Sequence, residues 1–221
     1  TPGKDYLNPE FELIVDDILE EKQKQRLINF LDVWLKNKIN TILKNLIDLK
    51  HLKERNSSIK ALAYQLYENN GVIKREQVSN YLKDLGQNER KILRELGVKF
   101  GRYHVFLYKL IKPEAVSLRT LLWKNFNQKY FELKPPQFGL NFLDDNKFKN
   151  KHFMLLCGFE KFGNFFVRID ILERLFVQII NSKDSKEIKV IPEMLNLLGC
   201  SKDNFKKLLS SMSYKVTEKN D

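Results

Sequence analysis

At 221 residues with 43% hydrophobic side chains, the chain is long enough for one large domain or two smaller ones and too apolar for wholesale disorder. Its 39 Lys and Arg against 28 Asp and Glu leave a net charge of +11, which favours a polyanionic partner. Two distant cysteines (Cys157, Cys200) and three scattered histidines (His51, His104, His152) argue for a reducing compartment and against structural zinc, and no apolar run reaches the roughly 18–20 residues of a membrane span.

Charge is uneven along the chain. Residues 1–20 carry one Lys against six Asp and Glu and read as an acidic docking segment. Residues 20–49 then show apolar positions at spacings of three and four, from Leu27, Phe30, Leu31, Trp34 and Leu35 to Leu46 and Ile47, which predicts a long amphipathic helix. Asn56-Ser57-Ser58 is a break with a good N-cap, and a second helix runs through Ile59, Leu62, Ala63 and Leu66 to a left-handed stop at Asn69-Asn70-Gly71. Helices are expected over about 74–85 and 88–96, closed by Gly97.

The period changes at Val98–Leu107, which reads as extended structure kinked near Gly101. Lys112-Pro113-Glu114 starts a helix through Trp123 to about Tyr130, stopped by Pro135-Pro136. Residues 135–150 are expected to be a linker. Beyond it, Phe165–Ile169 reads as a strand, and Asp170 with Glu173 as a capping box for a helix 171–180. Two further helices, Pro192–Leu198 and one capped by Ser201, close with a short strand at 214–217. The expected fold is mainly α: a helical bundle over 21–134 with a small basic, aromatic β element, followed by a winged-helix-like unit over 151–221.

No phosphate loop, dinucleotide fingerprint, nucleophile elbow or zinc-protease helix occurs in the sequence. The adjacent acids Asp16-Asp17 and Asp144-Asp145 read as solvated loop residues, and Cys157, after Phe153–Leu156, reads as buried and inert. The segment 97–123 stands apart because basic and aromatic residues interleave. Lys99, Arg102, Lys109, Lys112 and Arg119 can meet phosphates, Tyr103 or Tyr108 can stack on an unpaired base, and Gly101 allows close approach of a backbone.

Several blocks also carry a resemblance. They are Phe30–Leu35 with Ile42–Leu46, Ala63–Val72, Leu96–Phe106, Leu110–Ala115 with Leu121-Leu122-Trp123, Gly158-Phe159, Val167–Leu175, and the close from Leu198-Gly199 to Tyr214-Lys215. Over about 30–215 the chain resembles the C-terminal region of superfamily-two helicases of the alphaproteobacterial type, related in kind to mitochondrial RNA helicases. Segment 131–150 departs from that pattern, and Ser213 stands where the pattern has glycine.

The resemblance implies an accessory region that guides single-stranded RNA or DNA for an ATP-dependent helicase. The motor domains, with their ATP and Mg, would lie upstream. This chain would hold no cofactor or catalytic residue of its own and would sit in the bacterial cytoplasm or, alternatively, the mitochondrial matrix. The competing expectation is a protein-interaction or structural module of a helicase or ribonucleoprotein assembly, with no nucleic acid contact.

Overall fold

The structure is a computed structural model and describes residues 1–14, 20–52, 57–147, 150–184, 187–188 and 190–215. The Asp16-Asp17 pair, the Asn56 cap and residues 216–217 of the expected closing strand lie outside the described residues. The fold is mainly α with two small three-stranded sheets. Among the described residues, no helix is long and apolar enough to cross a membrane.

The long amphipathic stretch forms two helices, α1 (Glu21–Ile42) and α2 (Lys44–Lys50), broken at Leu43. The break lets Ile39, Leu43, Leu46 and Leu49 enter the core, whereas Phe30, Val33 and Trp34 on the first half of α1 stay exposed. α3 (Ser57–Glu68) buries Ile59, Leu62, Ala63 and Leu66. It stops as expected, with Asn70 and Gly71 in the left-handed region at φ 55° and 80°.

The helix expected over 74–85 is instead a strand, a 3₁₀ turn and a short helix: β1 (Val72–Lys74), residues 75–78 and α4 (Ser79–Asp84). Long-range pairing of Val72–Lys74 with His104–Phe106 overrides the local helical period there. α5 (Gln87–Glu95) ends at Gly97, whose φ of 88° and 2.7 Å clearance from the Asn45 amide leave no room for a side chain. β2 (Val98–Phe100) and β3 (His104–Leu107) form an antiparallel hairpin, with β3 between β1 and β2. α6 (Pro113–Phe126) starts with proline in its first turn, as expected.

The expected linker is partly framework. Its residues Phe142–Asp144 form β4, which pairs with Phe165–Val167. α7 (Lys151–Leu156) leads through Gly158, at φ 87°, into the hairpin β5 (Phe159–Phe162) and β6 (Phe165–Arg168), with β6 central. α8 (Ile169–Asn181) follows, then the two-residue strands β7 (Lys183–Asp184) and β8 (Glu187–Ile188), α9 (Pro192–Leu198) and α10 (Lys202–Ser211). Ser201 caps α10 by accepting from the Asn204 N–H at 3.3 Å. Ser213 adopts φ 68°, a left-handed backbone uncommon for a residue other than glycine.

A similar succession occurs twice: strand, 3₁₀ turn, helix (two helices, α4 and α5, in the first copy), left-handed glycine, hairpin and helix, with a further 3₁₀ turn before the last helix of the first copy. The first copy runs from β1 to α6 and the second from β4 to α8. The copies share their cores. Ala115, Leu118 and Leu122 of α6 pack with α2 and α3, while Val116 and Trp123 pack with Phe153, Phe159 and Phe166. Buried on two sides, α6 keeps a narrow exposed stripe at Glu114, Ser117 and Leu121.

Candidate nucleic-acid interface

The β2–β3 hairpin is held at its tip by a distant carboxylate. Glu173 of α8 accepts from the backbone N–H groups of Arg102, Tyr103 (2.9 Å) and His104 (3.0 Å). Successive N–H groups converging on one anion form a nest. Gly101 is small for this reason: a Cβ there would lie 2.3 Å from the Glu173 carboxyl carbon. What approaches Gly101 closely is therefore a side chain of this same chain. Glu173 is also absent from the capping box expected of it. α8 begins two residues earlier, and Asp170 pairs with Arg168 at 2.6 Å.

His104 lies behind the tip, 1% exposed. Its Nε2 is 2.8 Å from Glu160 of β5, its Nδ1 is 3.8 Å from Glu173, and Lys74 stands 3.5 Å from Glu160. Burial by itself disfavours the charged imidazole, but the hydrogen bond with Glu160 and the negative charge of Glu160 and Glu173 outweigh it and raise the pKa above the ordinary 6.5. Burial likewise works against both carboxylates, and the histidine, helped by Lys74 at Glu160 and by the tip N–H groups at Glu173, brings each below the ordinary 4.5. The cluster ties the first hairpin to the second. It has no open face on which to act as an acid or base toward a ligand.

The six expected contact residues part company. Lys99 and Arg102 are exposed on the hairpin, with the Arg102 guanidinium 5.5 Å from the Phe176 ring centre. Tyr103 is half-buried, edge-on to Phe162 and Phe176, with its hydroxyl 3.4 Å from that of Tyr214. Burial and that hydrogen bond push its pKa up. Part of its ring is taken up by packing within the chain. Lys109 and Lys112 are exposed at the other end of β3, where Lys112 donates to the Tyr108 hydroxyl at 2.7 Å.

Arg119 corrects the expectation most sharply. It is fully buried in α6, and its guanidinium donates to the carbonyls of Asn70 (2.6 Å), Leu110 (2.6 Å) and Leu156 (2.9 Å). Burial lowers its pKa to about 10, so it remains charged at neutral pH. It stitches both halves together from within and reaches no phosphate. Cys157 is buried as expected, its thiol pushed up to about 12 by burial.

Two cations outside the expected set join the hairpin face. Lys91 and Arg94 are exposed on α5, three residues apart and hence on one side of it. The Arg94 and Arg90 guanidinium groups lie 5.7 and 5.6 Å from the Phe100 ring centre, so α5 and β2 form one surface. Arg90 itself is structural, donating to the Leu82 and Leu85 carbonyls. The helical spacing of Lys91 and Arg94 was the available signal, obscured by Glu89 and Glu95 on the same short helix.

No family model matches this chain, and no curated protein or solved structure matches it. Lys91, Arg94, Lys99 and Arg102 are exposed cations on adjoining elements, two of them guanidinium forks, chemistry suited to phosphate oxygens. Among the described residues, no group of His, Cys, Asp and Glu is arranged to hold a metal ion.

Proposed function

We propose that this chain is an accessory nucleic-acid-binding module whose contact face is α5 together with the β2–β3 hairpin. The observation that carries this reading is the exposure of Lys91, Arg94, Lys99 and Arg102 on adjoining elements of one small α/β unit. The order α3, β1, α4, α5, β2, β3, with β3 central, is that of a winged helix, so α5 takes the place of the recognition helix and residues 101–103 the wing. The winged-helix reading thus moves from the C-terminal part of the chain to residues 57–107. The helicase resemblance supplies a setting, in which the motor belongs to a longer protein and this module positions the single strand beside it.

The test is a salt titration of binding to fluorescent single-stranded RNA, single-stranded DNA and duplex. A Lys91→Glu, Arg94→Glu, Lys99→Glu variant should lose at least about tenfold in affinity, and the salt slope should fall by roughly 0.7–0.9 per phosphate contact removed. Unchanged affinity and slope would reject the face.

A second reading, a protein-docking module, draws on α1. Phe30, Val33 and Trp34 are exposed by half or more, so the first half of that helix leaves apolar side chains uncovered. It expects no nucleic acid affinity in the same titration.

A further inference from the structure

A cleft of about 760 Å³ opens between α2, α3 and the end of α6, within the size range of small-ligand sites. It shares no residue with the hairpin face. Its walls are aromatic: Tyr67 lies against Lys50, and Tyr64 and Phe126 are 60% and 43% exposed, so their rings keep surface free. Lys50 and Lys60, both exposed, sit on the same lining. Two acids share the lining: Asp5, already engaged by the Leu7 N–H and the Asn8 amide, and Glu68, which is exposed to solvent.

The polar groups of the cleft point to a ligand. Tyr6 and Asn70 line it, and the hydroxyl of the one and the side-chain oxygen of the other are buried with no hydrogen-bond partner among the described residues. Behind them lies Arg119, held through the Asn70 carbonyl. No carboxylate pairs with it among the described residues, and its Nε–H is also unpartnered. Asn70 occupies left-handed backbone, uncommon for a residue other than glycine. Unused hydrogen-bonding groups on Tyr6 and Asn70 suit a planar group with a polar edge.

We propose that this cleft binds a nucleotide. The base stacks on Tyr64 and Phe126, its polar edge meets Tyr6 and Asn70, and its phosphate is held by Lys50 and Lys60. Aromatic faces accept any base, and lysines meet phosphate as point charges, so the chemistry fits both a free nucleotide and one nucleotide of a single strand.

Trp123 lines the cleft and the chain has one other tryptophan, so Trp34→Phe leaves Trp123 as the sole indole reporter. In that background the chain is titrated with AMP, GMP, CMP and UMP, and with pentanucleotides carrying or lacking the central base. At least one mononucleotide should change the Trp123 emission saturably. Tyr64→Ala should weaken that binding about five- to hundredfold. Asn70→Gly, which keeps the left-handed backbone accessible while deleting the amide, should weaken it too. If a strand is the source, the base-containing pentanucleotide binds more tightly than the abasic one, and Tyr64→Ala removes the difference.

Lys91→Glu with Lys99→Glu should leave the mononucleotide titration unmoved. No saturable change with any mononucleotide or pentanucleotide overturns the proposal. So does binding that Tyr64→Ala and Asn70→Gly leave unaltered while circular dichroism shows both folded, or binding lost in the Lys91, Lys99 variant.

Discussion

Two residues after its left-handed glycine, the first hairpin carries Lys99, exposed to solvent; the second carries Glu160, 3% exposed and bonded to His104 of the first. The tips differ as well. The first is pinned by Glu173 across three backbone N–H groups, whereas Gly163 and Asn164 at the second are exposed. The basic residue of the second hairpin, Lys161, is engaged with Asp145 at 2.6 Å, while Lys99 has no ion pair among the described residues. Two copies of one local design thus serve different ends. The second supplies the carboxylate that anchors the first, and the anchored first hairpin keeps its cations free.

This contrast can be broken hardest at Glu160. Glu160→Ala leaves His104 and Lys74 without their carboxylate in a buried site and should cost about 3–5 kcal/mol in chemical denaturation. Lys161→Ala, one residue away on the same strand, should cost about 1 kcal/mol or less, as a partly exposed pair does. Equal losses would mean that the two hairpins are held alike.

Gly101→Ala is the next test. Its Cβ would displace the Glu173 carboxylate, with an expected loss of about 2–4 kcal/mol from charge-assisted hydrogen bonds. Gly163→Ala meets a left-handed backbone at φ 54° and the Ser211 hydroxyl, and should lose only about 1–2 kcal/mol. A reversed order in thermal melts would show that the first tip does not depend on Glu173.

The pH profile sharpens the same point. His104 has a raised folded pKa, so its contribution is complete below about 6.5 and is lost as pH rises through the folded value. Glu160 and Glu173 have lowered folded pKa values, so theirs is present above about 4.5 and is lost as pH falls through the folded values. The tie between hairpins is therefore strongest between about pH 4.5 and 6.5. The stability of the wild type relative to His104→Gln, followed by denaturant titration from pH 5 to 9, should decline toward the alkaline end; a flat difference would mean that His104 is neutral throughout.

The smallest effect on folding is expected at the free cations. Lys99→Glu and Arg102→Glu should each change stability by no more than about 0.5 kcal/mol. A larger loss would assign these side chains to the framework and remove them from the contact face.

Local signals read well where the reason for a residue was local. The stop at Asn70-Gly71, the close at Gly97, Pro113 at the head of α6 and Ser201 as a cap all follow from backbone geometry within a few residues. The strand β1 and the strand β4 were not legible, because three residues carry no period of their own and each exists only through pairing with a strand more than twenty residues away. Of the contact face, Lys99 and Arg102 were legible from their basic, aromatic setting; Lys91 and Arg94 needed α5 to be seated on β2.

Sequence by itself determined the mainly helical class, the helix boundaries marked by Asn70-Gly71, Gly97, Pro113 and Ser201, and the basic hairpin, since each depends on neighbours in the chain. Only the tertiary structure decided which charges are free. Arg119 and Arg102 are the same side chain in the same basic segment. One is enclosed within the fold and bound to three carbonyls, and the other stands exposed at a turn with its guanidinium over the Phe176 ring. Burial is fixed by what packs on a residue from far along the chain, and for a charged group burial sets whether it holds the fold together or reaches a partner.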